Sequence, residues 1–432
     1  MYKIEKIICR DGQPGSMGKY TLRCAGCGNV LSDTITSCPM DGGLPRADYL
    51  KRRFNPRELP GIWSFIDWLP VDGWNPGTGA SSVTYKSSGL ADELGLNNLY
   101  ISFSGYWPER GAQMRTCSFK ELEAAPTMQM LLESGVKEIL VVASAGNTAR
   151  AFAEVCSITG QPVILFVPTQ SLDRLWTTIE PGRVLVVGVD GDYADAIKLA
   201  GVLSSRTGFR PEGGARNIAR RDGMGTVLLD HVRRFGSLPD HYFQAIGSGT
   251  GGIAVWEASM RLIGDGRFGC TPTRLHLAQN IPCAPVHAMW IGLSPEEMNF
   301  DAYGCPEGMH DDVLFNRNPP YAVPGGVRDA VISSSGRIYG IDNARAASAQ
   351  KLFEGREGID ILPAAAVAVA ALIEAVGSGA VGRDDEILLN ITGGGVKRLA
   401  EDHSRIRLEC DIRVDVEDSA DVLSSIEEMI YA

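Results

Sequence analysis

Beyond residue 80, apolar strand signals alternate with helical spacing, and no other feature limits the fold of this chain as strongly. Strands separated by helices of ordinary length predict βαβ units, whose strands form parallel sheets. The predicted strands are 138–143, 162–167, 183–189, 242–246, 274–278 and 386–391. The predicted helices are 148–158, 192–205, 253–262 and the alanine-rich run 361–376. We therefore expect an α/β protein.

Two segments within this pattern carry more specific expectations. The helix at 192–205 has apolar residues at Ala194, Ile197, Ala200 and Val202, which we interpret as its apolar face. The stretch 296–330 is rich in Pro, Asn and Gly. It predicts a long irregular excursion that is able to cover a site.

Length and composition narrow the function classes. A chain of 432 residues exceeds one ordinary core, so we expect two or more domains. The formal net charge of −11 argues against a general nucleic-acid binder, which needs a basic face. No apolar run approaches the roughly 18 residues of a membrane span, and Met1 to Arg10 lacks a secretory apolar region. We predict a cytoplasmic protein that binds neither nucleic acid nor membrane.

The first 46 residues differ from the rest, because they are rich in Cys and Gly and lack long periodic stretches. Cys24 and Cys27 form one tight knuckle, and Cys38 and Asp41 form a second turn of the same shape. Zinc ribbons pair two such turns, since each presents two ligands to one tetrahedral ion. Asp41 stands where a fourth thiolate is usual, so a bound Zn²⁺ and a metal-free remnant both stay open. The other cysteines show no regular spacing of the kind that indicates disulfide pairs, so we expect reduced thiols.

Lys120 is the candidate for covalent chemistry. A lysine bonds an aldehyde when desolvation lowers its pKa, and Ser118 and Phe119 supply a hydroxyl and an apolar wall beside it. The alternative is a solvated lysine at the start of a helix, because Glu121 and Glu123 follow it.

A short polar turn, Ser144-Ala145-Gly146-Asn147-Thr148, lies between a predicted strand and a predicted helix. A helix N-terminus offers unpaired N–H groups to an anion such as a substrate carboxylate, and Asn147 can donate to a cofactor oxygen. An ordinary capping turn is the alternative, because Ser and Asn are both good caps.

Two glycine-rich loops follow later strands. Gly247-Ser248-Gly249-Thr250-Gly251-Gly252 joins a strand to a helix, and its amides predict a phosphate cradle. The loop nearly matches G-x-G-x-x-G, the pattern of dinucleotide-binding sites. A dinucleotide is not favoured, because no acidic residue that could bind its ribose is evident at the end of a following strand. Thr392-Gly393-Gly394-Gly395 ends the last buried strand that we predict, so Thr392 would point a neutral hydroxyl at the ligand crevice. A plain turn is the alternative for this second loop.

Basic residues concentrate at Arg110 and Arg115 and in 213–222, where Arg216 and Arg220 lie. Guanidinium forks match phosphate geometry, so we expect these clusters to hold anions. Salt bridging to surface carboxylates is the alternative for each arginine.

Together these elements resemble the threonine synthase branch of the fold-type II pyridoxal-phosphate enzymes, and within it the archaeal cysteate synthases. The similar stretches are GYWPERGAQMRTCSFKELEAAPT, VVASAGNTARAFA, EGGARNIARRDGMGT and FQAIGSGTGGIA. The resemblance implies two doubly wound, parallel-sheet domains with the cofactor between them, plus a small zinc-ribbon-like segment. The expected limits are 1–46 for the ribbon, 47–127 and 213–432 for the large domain, and 128–212 for the small α/β domain.

The resemblance also implies a role for each matched residue. Lys120 would bond the cofactor aldehyde, Asn147 would contact its phenolic oxygen, and Thr392 would meet its pyridine nitrogen. The residues implied at the cofactor phosphate are Gly247, Ser248, Gly249, Thr250 and Gly251. The substrate-binding candidates are Ser144, Ala145, Gly146, Thr148, Arg110, Arg115 and Arg216.

Three departures separate the chain from ordinary threonine synthases. Arg115-Thr116-Cys117 replaces the usual Asn-Pro-Thr-Gly before the lysine motif, SAGNT replaces SSGNT, and Gly394 replaces a histidine. These positions lie where the substrate is expected, so they question threonine formation without questioning the cofactor.

The implied function is a β-replacement in which O-phospho-L-serine and sulfite give L-cysteate and phosphate. In the family this step feeds coenzyme M biosynthesis in methanogens. Three alternatives stay open: a threonine synthase acting on O-phosphohomoserine, a cysteine synthase using sulfide, and an inactive zinc-ribbon interaction protein. The implied cofactor is pyridoxal 5′-phosphate, with Zn²⁺ as a second candidate. The partners are small molecules, and a homo-oligomer is expected because relatives associate.

Overall fold

The structure is a computed structural model that describes residues 18–32, 35–293, 308–316 and 319–416, together with 424 and 426. Two cysteines, Cys9 and Cys305, lie outside the described residues, as does much of the stretch 296–330.

The strands are short, and most follow the predicted alternation with helices. In chain order they are β1 (Tyr20–Cys24), β2 (Pro45–Tyr49), β3 (Val83–Lys86), β4 (Leu99–Phe103), β5 (Tyr106–Trp107), β6 (Ala112–Gln113), β7 (Ile139–Ala143), β8 (Val163–Pro168), β9 (Trp176–Thr177), β10 (Val184–Asp190), β11 (Phe209–Pro211), β12 (His241–Ala245), β13 (Arg274–Asn280), β14 (Arg337–Ile341), β15 (Ile387–Ile391), β16 (Ile406–Arg407) and β17 (Ile412–Asp415).

The helices pack against these strands. In chain order they are α1 (Gly89–Leu94), α2 (Glu121–Glu133), α3 (Asn147–Thr159), α4 (Tyr193–Ser204), α5 (Ile218–Phe235), α6 (Thr250–Asp265), α7 (Pro285–Trp290), α8 (Val327–Ser333), α9 (Asn343–Glu357), α10 (Pro363–Gly377) and α11 (Val396–Asp402). Short 3₁₀ helices occur at Gly61–Trp68, Pro108–Arg110, Thr169–Arg174, Gly214–Arg216 and Asp312–Leu314.

Two parallel sheets organise the molecule. The six-stranded sheet has the order β14-β13-β12-β15-β4-β3, and β3 is its antiparallel edge. The five-stranded sheet has the order β11-β7-β8-β10-β17, with every pair parallel. The predicted α/β class with parallel sheets is confirmed. Of the eleven strands in these two sheets, β3, β4, β11, β14 and β17 were not predicted. Strand β17 is half-exposed, follows the strand that we expected to be the last buried one, and returns to the five-stranded sheet.

Both sheets are buried on both faces, because their strands alternate between two hydrophobic cores. In β12, Tyr242 packs into the core beneath α5 and α6, while Phe243 packs into the core beneath α10. In β8, Leu165 packs into one hydrophobic core of the five-stranded sheet, and Phe166 packs into the other. Parallel strands with near-continuous apolar character need such two-sided cover, which explains why the sequence shows runs of Val, Ile and Leu.

The apolar face that we predicted for 192–205 is wrong. Helix α4 buries Ala196, Leu199, Ala200 and Leu203, which lie three or four residues apart. Of the four predicted members, only Ala200 is in that face, whereas Ile197 and Val202 are 45% and 44% exposed. Two overlapping apolar stripes exist in this helix, and contact with the five-stranded sheet selects between them.

Helices α2 and α5 meet at a point that helps to position Lys120. Pro126 lies inside α2, so the Leu122 carbonyl has no helical N–H partner four residues on. Gly223 of α5 packs against this carbonyl so closely that a Cβ there would overlap with it. The absence of a side chain at Gly223 therefore lets the two helices approach.

The N-terminal ribbon is the antiparallel pair β1–β2, which packs on α5. Tyr49 donates a 2.6 Å hydrogen bond to Asp222, and the buried Arg221 guanidinium donates to the Pro45 carbonyl. Strand β2 continues past residue 46, the predicted end of the ribbon segment. The four domain limits stay predictions.

The described part of 296–330 is less irregular than expected. It contains the 3₁₀ turn Asp312–Leu314, and α8 begins at Val327. Among the described helices, each is too short or too polar to span a lipid bilayer.

Candidate active site

A cleft opens between the two sheets, beside the carboxyl ends of their strands. The predicted residues that line it are Lys120, Ser144, Ala145, Gly146, Asn147, Thr148, Gly247, Ser248, Gly249, Thr250, Gly251 and Thr392. Segments far apart in the chain therefore meet around one volume. This place suits a small-molecule ligand of an α/β protein.

Lys120 precedes α2 and reaches into the cleft with its side chain 21% exposed. Its Nζ lies 3.5 Å from the Glu123 carboxylate and 4.9 Å from the centre of the Phe119 ring. Burial lowers the pKa of Lys120, and the attraction of Glu123 only partly opposes this. The alternative of a solvated lysine is not supported, because Glu123 is fully buried. A lysine in this setting is closer to its neutral, nucleophilic form.

A buried ion-pair network lies under this lysine. Arg220 lines the cleft, and its Nε lies 3.1 Å from Glu123 while its Nη1 donates to Glu212 at 2.7 Å. Burial disfavours the Arg220 cation, but the two carboxylates outweigh that cost and raise its pKa. The Glu123 carboxylate thus interacts with two cations, Arg220 and Lys120. Because Arg220 stays charged and takes part of this attraction, Glu123 does not hold the Lys120 amine in its charged form.

Asn147 begins α3, and its orientation is set by an arginine one turn later. Arg150 donates from Nη2 to the Asn147 Oδ1 at 2.8 Å, and from Nε to the Thr116 carbonyl at 2.9 Å. Arg150 also stacks over Trp176 at 4.8 Å. With its oxygen occupied, the Asn147 amide group presents N–H donors to the cleft. The sequence analysis did not identify Arg150, whose only signal was its i+3 spacing from Asn147 on a helix.

The turn 144–148 is held in an unusual conformation. Gly146 has φ 140, and its N–H donates to the Ser144 hydroxyl at 3.0 Å. Arg174 donates to the Ala145 carbonyl at 3.2 Å and forms an ion pair with Asp312. Asp312 belongs to the described part of 296–330, so this pair joins the turn to the excursion.

The loop 247–251 presents a helix N-terminus to the cleft. The first N–H groups to donate within α6 are those of Gly252 and Ile253, both to the Gly249 carbonyl. The amides of Thr250 and Gly251 therefore have no acceptor within the helix, and they lie where the helix dipole favours an anion. The Ser248 and Thr250 hydroxyls are 2.9 Å apart. This arrangement supplies both N–H and O–H donors to a phosphate group.

Thr392 is linked to the lysine segment through the backbone. Phe119 donates from its N–H to the Thr392 carbonyl at 3.0 Å, and Gly394 donates to the Cys117 carbonyl at 3.1 Å. Cys117 has φ 52, a left-handed conformation that a non-glycine residue seldom adopts. Cys117 occupies the position where the resembling family has glycine. The backbone conformation here is therefore one that glycine usually adopts, although the residue is a cysteine.

The structure does not bring the three predicted substrate arginines to the cleft. Arg110 is exposed and stacks over Tyr85 at 4.1 Å, and Arg216 is exposed on a 3₁₀ turn. Arg115 is also absent from the cleft lining. Arg220 lines the cleft instead. Local charge density identified the segment 213–222, but which of its arginines points inward depends on the packing of α5.

Other lining residues were not predicted. They come from the start of α4, from α5 and β12, from the excursion, and from the segment around the start of α10. These residues are Tyr193, Met224, Gln244, Ala245, Ile246, Val313, Leu314, Phe315, Asn316, Leu362 and Ala364. The stretch 313–316 agrees with the expectation that 296–330 covers a site, and the remainder had no distinctive sequence signal.

The predicted metal ligands also meet, well away from the cleft lining. The ligand atoms of Cys24, Cys27, Cys38 and Asp41 all lie within 4.8 Å of one another. Cys24 and Cys38 are buried, whereas Cys27 and Asp41 are exposed. Among the described cysteines, free thiols are present at Cys24, Cys27, Cys38, Cys117, Cys156, Cys270 and Cys410.

Comparison with known proteins adds a family and a fold. Residues 86–393 match the model of the pyridoxal-phosphate dependent enzyme family. The chain is 81% identical over 413 residues to a cysteate synthase of Methanothrix thermoacetophila, across 96% of this chain and 100% of that protein. It is 55% identical to a cysteate synthase of Methanococcoides burtonii, across 93% of this chain and 95% of that protein.

Solved structures with lower sequence identity share the fold. Maize serine racemase superposes with a TM-score of 0.55 at 15% identity, across 74% of this chain and 91% of that one. A tomato (Solanum lycopersicum) threonine deaminase superposes with a TM-score of 0.51 at 18% identity, across 74% of this chain and 82% of that one. These likenesses confirm the predicted fold-type II architecture.

Proposed function

The chain belongs to the pyridoxal-phosphate dependent enzymes and, within them, to the cysteate synthase family, and on this premise we propose that it converts O-phospho-L-serine and sulfite into L-cysteate and phosphate. One observation carries the proposal. A relative named cysteate synthase is 81% identical across its whole length. We therefore expect the side chains that contact the substrate to be the same, or of the same chemical type, in the two proteins.

The cleft fits pyridoxal phosphate on physical grounds of its own. A phosphate monoester needs several close donors, and 247–251 offers glycine amides at a helix N-terminus with two hydroxyls beside them. An aldehyde needs an amine of lowered pKa, which Lys120 has. We propose that Lys120 bonds the aldehyde, that 247–251 holds the phosphate, and that Asn147 donates to the phenolic oxygen. When bound, the cofactor supplies an electron sink for breaking the Cα–H bond and releasing the β-substituent.

Lys120 moves the proton in this proposal. With the cofactor bound, Lys120 Nζ would be the group that takes the proton from the substrate Cα. Burial lowers the pKa of Lys120 and so shifts the amine towards its neutral form. Glu123 lies 3.5 Å from the Lys120 Nζ and shares the same carboxylate oxygen with Arg220, so it helps to position the amine.

The turn 144–148 orients the substrate. Its small residues and the N-terminal amides of α3 can hold the amino-acid carboxylate. Arg150 keeps Asn147 directed at the cofactor, while Arg174 fixes the Ala145 carbonyl away from the ligand. Thr392 lines the cleft and would offer a neutral hydroxyl to the pyridine nitrogen of the bound cofactor. A neutral partner would leave the ring less electron-withdrawing than a carboxylate would, which suits replacement at the β-carbon.

We also propose that the enzyme works in the cytoplasm as a homo-oligomer. The free thiols of the described cysteines are compatible with a reducing compartment. Ile197 and Val202 place two large apolar side chains on the outer face of α4, as expected for a surface that another copy covers. Sedimentation of the purified protein gives the oligomeric state.

A product assay with competing reactants tests the reaction. The holoenzyme is incubated with O-phospho-L-serine and either sulfite or sulfide, and separately with O-phosphohomoserine. We expect cysteate and phosphate in equal amounts from phosphoserine and sulfite. Threonine from O-phosphohomoserine as the dominant product, or cysteine formed faster than cysteate, would sink the proposal.

Replacement of the lysine tests the assigned base. Lys120→Ala should lose the near-visible absorbance of lysine-bound pyridoxal phosphate and at least about 10³-fold of its turnover. Lys351→Ala removes an exposed lysine of α9 and should match the wild type in both measurements. Absorbance and turnover retained in Lys120→Ala would place the Schiff base elsewhere.

A further inference from the structure

The N-terminal ribbon contains two turns of matching backbone geometry. In the first, the Gly28 N–H donates to the Cys24 carbonyl at 3.0 Å, and Gly28 has φ 76. In the second, the Gly42 N–H donates to the Cys38 carbonyl at 2.9 Å, and Gly42 has φ 72. Each turn closes four residues after its first cysteine. This match puts Asp41 in the place that Cys27 has in the first turn.

The four side chains converge at distances that suit one tetrahedral ion. Cys27 Sγ and Cys38 Sγ are 3.6 Å apart, and Cys24 Sγ is 3.5 Å from Asp41 Oδ2 and 3.2 Å from Asp41 Oδ1. With metal–sulfur bonds of about 2.3 Å and metal–oxygen bonds of about 2.0 Å, tetrahedral angles give ligand separations of about 3.5–3.8 Å. A disulfide would need sulfur atoms about 2.05 Å apart. The spacing therefore fits shared coordination and excludes a bond between the two sulfurs.

Backbone amides support the ligands from outside. Gly26 donates to Cys24 Sγ at 3.3 Å, and Gly43 donates to Asp41 Oδ1 at 2.9 Å. Amide donors to thiolate and carboxylate ligands are the usual second layer of a metal site, because they stabilise the ligand charge and fix its direction. A surface carboxylate placed by chance has no reason to share this arrangement with three thiols.

The two turns are packed against the segment that leads to α8. Leu44 donates from its N–H to the Pro324 carbonyl at 3.0 Å, and a Cβ on Gly26 would lie 2.7 Å from the Pro324 Cβ. A Cβ on Gly325 would overlap with the Ala25 side chain. The ribbon and the segment 324–325 are therefore in close contact on both sides.

The same segment reaches the cleft. Val327 begins α8, and a Cβ on Gly249 would overlap with its Cγ2 atom. Gly249 belongs to the loop that we assign to the cofactor phosphate. A continuous path of packed atoms thus runs from the ribbon through Pro324 and Val327 to Gly249.

We propose that Cys24, Cys27, Cys38 and Asp41 bind one Zn²⁺ ion in a tetrahedral site, and that this ion stabilises the glycine loop of the cleft through the 324–327 segment. The ion plays no part in the reaction. The second half of the proposal rests on the proposed function, since it assigns 247–251 to the cofactor phosphate. The first half stands without it.

Metal content is the first test. The full-length protein, expressed with zinc and iron supplied, is assayed for both metals by mass spectrometry. We expect about one zinc per chain, a loss of at least about five-fold in Cys27→Ser, and no change in Cys270→Ser, which removes an exposed cysteine outside the cluster. Less than about one-tenth of an equivalent of zinc in the wild type, or iron in its place, would overturn the site.

Cobalt spectroscopy covers the case in which Cys27→Ser fails to fold. Co²⁺ added to chelator-treated wild type should give thiolate charge-transfer and tetrahedral ligand-field bands, and Asp41→Cys should strengthen the charge-transfer band by adding a fourth sulfur. A Co²⁺ spectrum without tetrahedral bands would contradict the coordination. An Asp41→Cys spectrum identical to that of the wild type would remove Asp41 from the ligand set.

The coupling to the cleft has a separate measurement. The dissociation constant of pyridoxal phosphate is determined by absorbance for the zinc-loaded and zinc-free protein. We expect it to rise about three- to ten-fold when zinc is removed, and to recover when zinc is restored. An unchanged constant would refute the coupling while leaving the zinc site intact. Failure to bind pyridoxal phosphate in either state would instead count against the proposed function.

Discussion

The two glycine-rich loops look alike in sequence, but the structure uses them differently. In 247–252, the missing side chains of Gly249, Gly251 and Gly252 make room for other side chains, and only Gly247 faces backbone atoms, those of Leu314. A Cβ on Gly249 would meet Val327, and a Cβ on Gly252 would lie 2.7 Å from a methyl carbon of Leu277. In the second loop the neighbours are mainly backbone atoms.

The loop 392–395 is enclosed by main chain. A Cβ on Gly393 would lie 2.6 Å from the Cys117 carbonyl oxygen, and a Cβ on Gly394 would overlap with the Asp360 carbonyl oxygen. Gly395, at φ 75, packs against the Tyr106 carbonyl in the same way. Side chains can shift to relieve such an overlap, whereas backbone carbonyls fixed by hydrogen bonds cannot do so cheaply. The first loop therefore forms a ligand cradle, and the second is a clamp that joins three chain segments beside Lys120.

The largest expected effect comes from the clamp. Gly395→Ala adds a methyl group against the Tyr106 carbonyl and forces alanine into a left-handed conformation. We expect a loss of about 3–5 kcal/mol in the free energy of unfolding, or no soluble protein. Chemical denaturation followed by fluorescence measures the loss. Gly264→Ala in α6, where nothing lies within 4 Å, is the matched control and should be neutral or slightly stabilising. Equal free energies of unfolding for Gly395→Ala and Gly264→Ala would contradict the assignment of 392–395 as a clamp.

Substitutions in the cradle, 247–252, should lower the free energy of unfolding less than those in the clamp, and should weaken cofactor binding more. Gly249→Ala combines φ 80 with an overlap at Val327, so we expect a loss of about 2–3 kcal/mol and weaker binding of pyridoxal phosphate. Gly252→Ala keeps an ordinary helical backbone and meets the buried Leu277 side chain, so it should cost about 1–2 kcal/mol. Thermal melting and absorbance titration of the cofactor separate the two quantities. A Gly252→Ala protein that binds the cofactor as weakly as Gly249→Ala would contradict this ranking.

The smallest effect concerns the segment that the clamp holds. Glu121 accepts hydrogen bonds from the Thr116 N–H at 3.1 Å and from the Thr116 hydroxyl at 2.8 Å, and burial raises the pKa of Glu121 to about 7. Since the folded state holds this proton more tightly than the unfolded state, stability falls as pH rises from about 4.5 through 7. Glu121→Gln keeps an acceptor oxygen but removes the charge.

We therefore expect Glu121→Gln to match the wild type near pH 4.5 and to exceed its free energy of unfolding by about 1–2 kcal/mol at pH 8. Urea denaturation at the two pH values measures this difference. Glu58→Gln, at an exposed glutamate, should show no such dependence. A constant difference between Glu121→Gln and the wild type at both pH values would mean that Glu121 does not titrate in this range.

The sequence predicted six of the strands and the helices α3, α4, α6 and α10, because each has a strong local signal. Helices α2 and α5, which lie beside Lys120 and carry Arg220, were not predicted. The apolar runs of β7, β8, β10, β12 and β15 need two-sided burial, and the turn residues after them mark where ligands bind in α/β proteins. The resemblance to known enzymes added the cofactor and the role of each loop. Those roles remain proposals for Lys120, Asn147 and Thr392.

The errors share one physical cause. Ile197 and Val202 lie on an apolar stripe that the helix could have buried, and Arg216 lies in the same basic stretch as Arg220. In both cases local sequence offered two equivalent choices. Only contact with distant elements, the five-stranded sheet in one case and Glu123 in the other, selected between them.

By itself the sequence determined the α/β class, the order of the loops and the chemical types of the site residues, because periodicity, turn residues and side-chain chemistry are local properties. The tertiary structure decided which arginine faces the cleft, how Arg150 directs Asn147, and how the ribbon reaches Gly249 through Val327. These features depend on contacts between residues that are distant in sequence or compete for one position, and no local pattern encodes the outcome of that competition.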